Sequence, residues 1–319
     1  MSSAAKTLHR LVDAFGFLIG LAPIVVAASA LLKIDHRIPE LLLQFTAPVL
    51  ILTAVATLLA LLFRLKATVL AGLLSSVLLA LAVAPQWFPG GPKPATDAPE
   101  MTVYWSNVWA QNDDVSAIAA SIKDANPDIV LMAEVSPEVN ANLDTILPDH
   151  PYRSTSVVGN RNVAPARALI ASRWPIKMQE ENTHDTLTAV SALVETPLGE
   201  VGVMASHLTR PWPYRIHGTQ RIQAADMGQL RPQLGSAAII AGDFNSVSNS
   251  NLGRYVSREM GLTAAPGFPG TWPSKVPAPL GITIDQVWHS PELAVKSRKL
   301  GKANGSDHNP VIVRFTAAR

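Results

Sequence analysis

Two short segments of the sequence could do chemistry together. Gly242-Asp243-Phe244-Asn245 directly follows the apolar run Ala237 to Ala241, and Ser306-Asp307-His308-Asn309-Pro310 stands just ahead of the last apolar strand of the chain. Each places carboxylate, amide and imidazole groups where a strand stops. Carboxylate oxygens suit a hard divalent ion such as Mg²⁺, which keeps several waters in its shell. An amide and an imidazole beside it suit a phosphate ester, whose oxygens gain negative charge as it is hydrolysed.

Such groups work only if rigid elements bring them to one place. From Met101 onward the chain alternates strand-like and helix-like stretches. Met101 to Val108 and Asp128 to Val135 read as strands, with a helix from Asp113 to Ala125 that Asp113 or Asp114 would cap. A second helix follows Ser136. Strands are expected at Tyr152 to Val158, Arg167 to Ser172, Leu187 to Glu195 and Glu200 to His207, neighbours whose spacing suggests antiparallel pairing. Arg215 to Leu234 reads as the longest amphipathic helix, Ala237 to Ala241 as the next strand. Short strands at Asp285 to His289, Leu293 to Ser297 and Val311 to Phe315 end the chain. About 220 residues of this pattern suit one α/β domain with two packed sheets.

Polar residues fall where those strands stop or start. Asn107 ends the first, Glu134 the second and His207 the sixth; Asp243 and Asn245 follow the seventh, Asp285 opens the next, and Asp307-His308 precede the last. In α/β sheets, sites gather at strand ends. Singly, each has a structural alternative. Asp243 and Asn245 could make an Asx-turn, His207 could be an ordinary strand-end histidine, and Asp307 with Asn309 and Pro310 could open the last strand. Glu134 ends a strongly apolar run, where an unpaired charge would be costly. Agreement among all of them favours a single site.

Read in order, Ser106-Asn107-Val108, Ala133-Glu134-Val135, Ser206-His207-Leu208, Gly242-Asp243-Phe244-Asn245, Ile284-Asp285-Gln286-Val287 and Ser306-Asp307-His308 resemble the endonuclease/exonuclease/phosphatase superfamily of metal-dependent phosphoesterases. The likeness covers Met101 to the C-terminus. It implies an α/β four-layer sandwich, two packed mixed β-sheets flanked by helices. It also implies that Glu134 and Asp307, with Asn107, hold Mg²⁺ or Mn²⁺. Asp243 would orient the attacking water and Asn245 would donate a hydrogen bond to the pentacoordinate phosphate. Asp285 would orient His308, whose role as base or cationic clamp stays open at this point. His207 would be a phosphate ligand or the acid for the leaving group. Trp109 stands where several nucleases of the superfamily carry a second acid, a departure from a nuclease-type metal site.

The first third has a different character. Hydrophobic residues make up 48% of the chain and charged ones 16%, and the excess lies in three stretches, 11–32, 41–63 and 67–84. Each is close to the roughly 20 residues needed to cross a bilayer. Residues 1–84 therefore read as an anchor of three transmembrane helices, and the Pro/Gly-rich segment 85–100 as a linker to a catalytic domain at 101–319. A cleaved signal peptide ending near Ala28-Ser29-Ala30 is the alternative for the first stretch. Lys6, Arg10, Arg64 and Lys66 share one side, which the positive-inside rule puts in the cytoplasm. The catalytic domain is then expected outside a bacterial inner membrane, a compartment compatible with the absence of cysteine.

From residue 101 on, six lysines and thirteen arginines balance eleven aspartates and eight glutamates. Nucleic-acid binding by the phosphate backbone usually shows a basic excess, so nucleic acid is the less favoured partner unless Arg210, Arg215 and Arg221 cluster. The loops Pro211-Trp212-Pro213-Tyr214 and Ala264 to Gly281 are rigid and aromatic, suited to a lipid-borne phosphate or to packing alone. Three spans before an outward phosphoesterase domain resemble bacterial membrane proteins associated with glycopeptide resistance, thought to remove phosphate from polyprenyl pyrophosphates. An extracytoplasmic nuclease and a silent domain that binds phosphorylated ligands are the alternatives. Arg167 is a candidate phosphate contact, whereas Glu180, Glu181, His184, Asp185, His150 and His289 read as solvated or structural.

Overall fold

The computed structural model describes residues 2–156, 167–181, 187–210 and 218–319. The Pro211 to Tyr214 loop, Arg215 at the expected start of its helix, the end of the strand expected to reach Val158, and His184 and Asp185 lie outside the described residues.

Five helices come first: α1 (Ser3–Leu21), α2 (Pro23–Leu31), α3 (Arg37–Leu43), α4 (Thr46–Leu62) and α5 (Lys66–Trp87). Then follow β1 (Glu100–Asn107), α6 (Val115–Ala125), β2 (Ile129–Val135), α7 (Pro137–Ala141), α8 (Leu143–Ile146), β3 (Tyr152–Thr155), β4 (Arg167–Ser172), β5 (Ile176–Glu181), β6 (Thr188–Thr196) and β7 (Gly199–His207). The chain closes with α9 (Gly218–Leu230), β8 (Ala238–Asp243), α10 (Asn251–Glu259), β9 (Thr263–Ala264), β10 (Asp285–His289), β11 (Leu293–Leu300) and β12 (Val311–Ala317).

Side chains alternate across each strand, and this decides the layers. In β1, Met101, Val103 and Trp105 enter the core between the sheets, while Tyr104 turns outward against α6. In β2, Ile129, Leu131 and Ala133 point inward, Val130 and Met132 outward. The strands form two six-stranded mixed sheets, ordered β11-β12-β1-β2-β4-β3 and β5-β6-β7-β8-β10-β9. In each, one central pair is parallel, β1 with β2 and β7 with β8, and the other pairings are antiparallel. Helices α6 to α8 cover the first sheet, and α9 and α10 the second. The expected sandwich of two packed, helix-flanked sheets is therefore what forms.

One helix end and one strand differ most from the sequence reading. The helix expected to reach Leu234 ends at Leu230, and Arg231–Leu234 is a 3₁₀ turn with Pro232 in its first positions. Proline lacks the amide that an α-helix would need there. The strand β5 was missed, because its Lys177 to Glu181 stretch is too polar to stand out.

In the N-terminal bundle, α1 and α2 run as one apolar stretch, Ser3–Leu31, and α5 is the second helix long and apolar enough to cross a membrane. The stretch expected as the middle span is instead the pair α3 and α4, bent by 56°. Leu52, Leu58, Leu62, Leu70, Leu74 and Leu81 are exposed on this bundle, an outer face suited to hydrocarbon. Inside it, small residues let the backbones meet. A Cβ on Gly16 would lie 2.3 Å from Thr68 Oγ1, and one on Gly72 2.1 Å from Thr57 Oγ1. Asp13 of α1 accepts from the amides of Ala67 and Thr68, at 3.1 and 2.9 Å, and so caps α5.

Helix α5 continues through Pro85 to Trp87, whose ring packs against Phe268 with centroids 4.9 Å apart. Beyond it the chain binds the end of β12: Pro94 bridges Ala318, Ala95 N donates to Ala317 O at 3.0 Å, and Arg319 N donates to Lys93 O at 2.9 Å.

Candidate active site

The parallel pairs end on the same side, so Asn107, Glu134, His207 and Asp243 emerge together. Asp285 opens β10 directly opposite Asp243 in the antiparallel register. His308 arrives from the loop before β12, which pairs antiparallel with β1. Seven of the eight residues singled out in the sequence thus meet in one place.

Local backbone aims them. The β2–β4 register shifts between Met132 and Val135, a bulge that contains Glu134. Glu134, Trp109 and Asn245 have φ of 55°, 64° and 47°, left-handed values that non-glycine residues adopt only when their surroundings over-determine them. At Trp109 the turn presents successive amides: Trp109 N donates to Asn107 Oδ1 at 2.9 Å and Ala110 N to Glu134 Oε2 at 3.0 Å.

Asn107 Nδ2 bridges the carboxylates, donating to Glu134 Oε1 at 2.9 Å and to Asp243 Oδ2 at 3.1 Å. His207 Nε2 lies 3.5 Å from Glu134 Oε1 and 3.6 Å from Asp243 Oδ2. Asn245 N donates to Asp243 Oδ1 at 2.8 Å, and its Nδ2 donates to Leu208 O at 2.8 Å while standing 3.5 Å from His207 Nε2. His308 Nδ1 is 2.8 Å from Asp285 Oδ2, and its Nε2 is 3.8 Å from Asp243 Oδ2.

Asp307 stands at the edge of this cluster. Its Oδ1 is 3.8 Å from His308 Nε2, and its Oδ2 accepts from Trp272 Nε1 at 3.1 Å. Trp272 belongs to the 264–281 loop, which packs down here by that bond and by its bridge to Ile282. Arg167 is bound to Ser156 O at 2.8 Å, and Arg221 pairs with Asp35 of the anchor at 2.5 Å. His150 and His289 are buried, held by Pro127 O and Ser290 O.

The charges divide by environment. Burial pushes the Glu134 carboxyl up, but His207, the Ala110 amide, Asn107 and His308 outweigh it and leave the group below its ordinary value. Burial, reinforced by Asp285, raises Asp243 despite His308 and His207. Burial also opposes Asp285, yet its contact with His308 and its bonds to Thr271 and Trp105 keep it low. Burial works against a charged His308, and Asp285, Asp243 and Asp307 overcome it, raising the ring to about 10.

Glu134, His207 and Asp243 offer one atom each within 4.8 Å of one another, a group able to hold a metal ion. Among the described residues no lysine or arginine pairs with Glu134 or Asp243, whose cationic neighbours are imidazoles. Converging carboxylate and imidazole atoms without a lysine or arginine fit a divalent ion. The second such group, Asp243, Asp285 and His308, is already satisfied as an ion triad.

The model of the Endonuclease/Exonuclease/phosphatase family matches residues 104–308. The chain belongs to this family. Members hydrolyse phosphate ester bonds, and the chain is a hydrolase of that class. The family fold recurs in an endonuclease/exonuclease/phosphatase from Bacteroides vulgatus, 19% identical, with a TM-score of 0.59 over 69% of this chain and 99% of that one. The human Nocturnin catalytic domain with bound sulfate is 18% identical, with a TM-score of 0.54 over 71% and 97%. Sphingomyelinase C from Streptomyces griseocarneus is 17% identical, with a TM-score of 0.52 over 69% and 100%. No curated protein matches the sequence.

Within the family fold, two tryptophans carry contacts that the sequence reading overlooked. Trp105 Nε1 donates to Asp285 Oδ1 at 3.0 Å, opposite the bond from His308. It lies two residues before Asn107, so strand alternation puts both on one face, a signal present in the sequence. Trp272, in the loop read as suited to a lipid-borne phosphate or to packing alone, also holds the Asp307 carboxylate.

Proposed function

We propose that the chain is a membrane-anchored, metal-dependent phosphoesterase that hydrolyses a phosphate ester or anhydride on a lipid-borne substrate with activated water. The observation that carries this reading is where the site stands. The loops that follow Asp243 and precede Asp285 are the loops that rest on the anchor: Asn249 Nδ2 donates to Ala82 O at 2.8 Å, and Gly267 N to Gln86 O at 2.8 Å. If the apolar helices cross a bilayer, a site framed by these loops would stand beside the membrane plane, where the phosphate of a lipid lies.

Glu134 and Asn107, with Asp307 at the mouth, would hold Mg²⁺ or Mn²⁺. When bound, the ion polarises a phosphoryl oxygen and offsets its developing charge. Asp243, raised by burial, accepts the proton of a water that it orients for in-line attack. Asp285 fixes His308 through Nδ1, so the charged ring turns Nε2 toward the phosphate and clamps it. Asn245 Nδ2 adds a neutral donor, and His207 protonates the leaving oxygen.

Two features support an outward catalytic domain at a bacterial inner membrane. His9 Nε2 lies 3.3 Å from Phe63 O, which places Lys6, Arg10, Arg64 and Lys66 at one end of the bundle. The Asp35 to Gln44 stretch meets the catalytic domain at the other end. Arg221 pairs with Asp35, which offsets its charge in any nucleic-acid patch.

The deciding assay is the full chain in detergent micelles with Mg²⁺, offered polyprenyl pyrophosphate, phosphoinositides, sphingomyelin, DNA and RNA. Phosphate or headgroup release from a lipid, abolished by EDTA, is the expected result. Cleavage of DNA or RNA without lipid turnover would select a nuclease. Calorimetric binding without turnover in Mg²⁺ or Mn²⁺ would select a silent phosphate binder.

A further inference from the structure

We propose that the anchor is a working part of the active site: α3 holds the loop behind Asn245 in its active geometry, with Glu40 and Gln44 as positioning residues. The catalytic consequence rests on the phosphoesterase reading above; the clamp rests on its own contacts.

Glu40 and Gln44 are one helical turn apart, so their side chains leave α3 on the same face. Both are buried, at 5% and 6% exposure, where a carboxylate and an amide persist only if hydrogen-bonded. Each finds its partner across the seam. Gln44 Nε2 donates to Ser246 Oγ at 3.2 Å, and Glu40 Oε1 accepts from Asn251 N at 3.2 Å and from Asn251 Nδ2. One face of α3 therefore holds both ends of the loop from Ser246 to Asn251. The middle is held by α5, through Asn249 Nδ2 on Ala82 O, and by Val247, which packs among Ala27, Ala30, Leu43, Leu79 and Ala82. Arg254 closes the loop from the domain side, donating to Asn249 O at 2.6 Å and to Asn251 Oδ1.

The residue just ahead of this loop needs such support. Asn245 is left-handed, a state that reverts unless neighbouring bonds fix it. On the domain side Gln220 Nε2 donates to Phe244 O at 3.0 Å and Gln286 Nε2 to Ser246 O. On the anchor side Ser246, the next residue, is bound by Gln44. If the anchor contacts are lost, Asn245 keeps its chemistry and loses its aim, and a displacement of about 1 Å in a catalytic group costs about 10²-fold in rate.

The test uses the full chain in micelles with Mg²⁺ and bis(4-nitrophenyl) phosphate, a soluble diester that needs no membrane delivery. Glu40→Leu with Gln44→Met is expected to lower kcat about 10²-fold with KM within about twofold, the pattern of a lost transition-state contact. Glu40→Gln, which keeps the acceptor for Asn251 N, should retain kcat within about threefold. Hydrogen exchange should rise in the 244–251 segment and stay unchanged in β8 and β10. Ser246→Ala with Asn251→Ala removes both side-chain partners from the domain side, leaving only the Asn251 amide on Glu40, and must lower kcat in the same way, which decides the matter if the α3 variants fail to fold. Unchanged exchange in the loop, or raised exchange with unchanged kcat, overturns the proposal. Wild-type protein inert toward every phosphate ester overturns the phosphoesterase reading instead, and loop exchange still decides the clamp.

Discussion

Asp285 and His308 are joined inside the protein: Oδ2 of one lies 2.8 Å from Nδ1 of the other, and both side chains are almost wholly buried. Trp105 occupies the second carboxylate oxygen at 3.0 Å, so Asp285 has no freedom to turn away. The charge on the ring depends on this carboxylate more than on any other neighbour. Asp285→Asn is expected to lower kcat roughly 10²–10³-fold, the usual range for a lost electrostatic stabiliser of the transition state, while leaving KM near its wild-type value. Steady-state kinetics on bis(4-nitrophenyl) phosphate check it, with circular dichroism to show that the sheets persist. His308→Ala that keeps full activity would remove the pair from the mechanism.

Metal dependence should be visible without turnover. Asn107 bridges Glu134 and Asp243, and removing such a supporting bond usually weakens metal binding by about 10–100-fold. Asn107→Ala is therefore expected to weaken Mn²⁺ binding by that factor in calorimetry, and Glu134→Gln to abolish it. EDTA should stop turnover in the wild type and added Mg²⁺ should restore it.

Buried histidines set the acid limit of stability. Burial lowers His150 and His289 below the ordinary imidazole value, against the opposing effect of their backbone acceptors. The unfolded chain then binds protons near pH 6.5 that the folded chain refuses, so stability falls as pH drops below about 6.5. His308 has the opposite sign. Its contribution is complete below the ordinary imidazole value and is lost as pH rises through about 10. Melting curves in EDTA should show a loss on both flanks, and His150→Gln with His289→Gln should flatten the acid one.

The helix bundle has little tolerance at its crossings. A side chain on Gly72 meets Thr57 at 2.1 Å, so Gly72→Leu must push α5 away from α4. A cost of roughly 1–3 kcal/mol is expected, as for other overpacked interiors. Melting in micelles measures it, and the shift should be absent for Leu81→Ala, whose side chain is exposed.

Sequence patterns revealed the strands and much of the cluster because both obey short-range rules. Period-two apolar runs locate β1, β2, β7 and β8, and a polar residue ending such a run is conspicuous, as at Asn107 and Glu134. What the pattern omits is direction. The bulge that turns Glu134 into the cluster depends on pairing with β4, some thirty residues downstream. Asp307 follows the same motif as His308 yet turns to Trp272, a choice made by packing in a different loop. The bond from Glu40 to Asn251 spans 211 residues, and no periodicity announces a contact between an apolar anchor and a distant loop. The break between α3 and α4 was hidden for a related reason: hydropathy counts apolar residues and is blind to a 56° bend.

The stitching of residues 93–95 onto the end of β12 at residues 317–319 gives the catalytic domain no leash. With Trp87 and Phe268 in contact as well, the catalytic domain is held against the helices that precede it. On the proposed lipid-directed reading, an enzyme held in this way would meet its substrate only by diffusion within the leaflet, and its rate would follow the mole fraction of substrate in the membrane surface and ignore the bulk amount of vesicles.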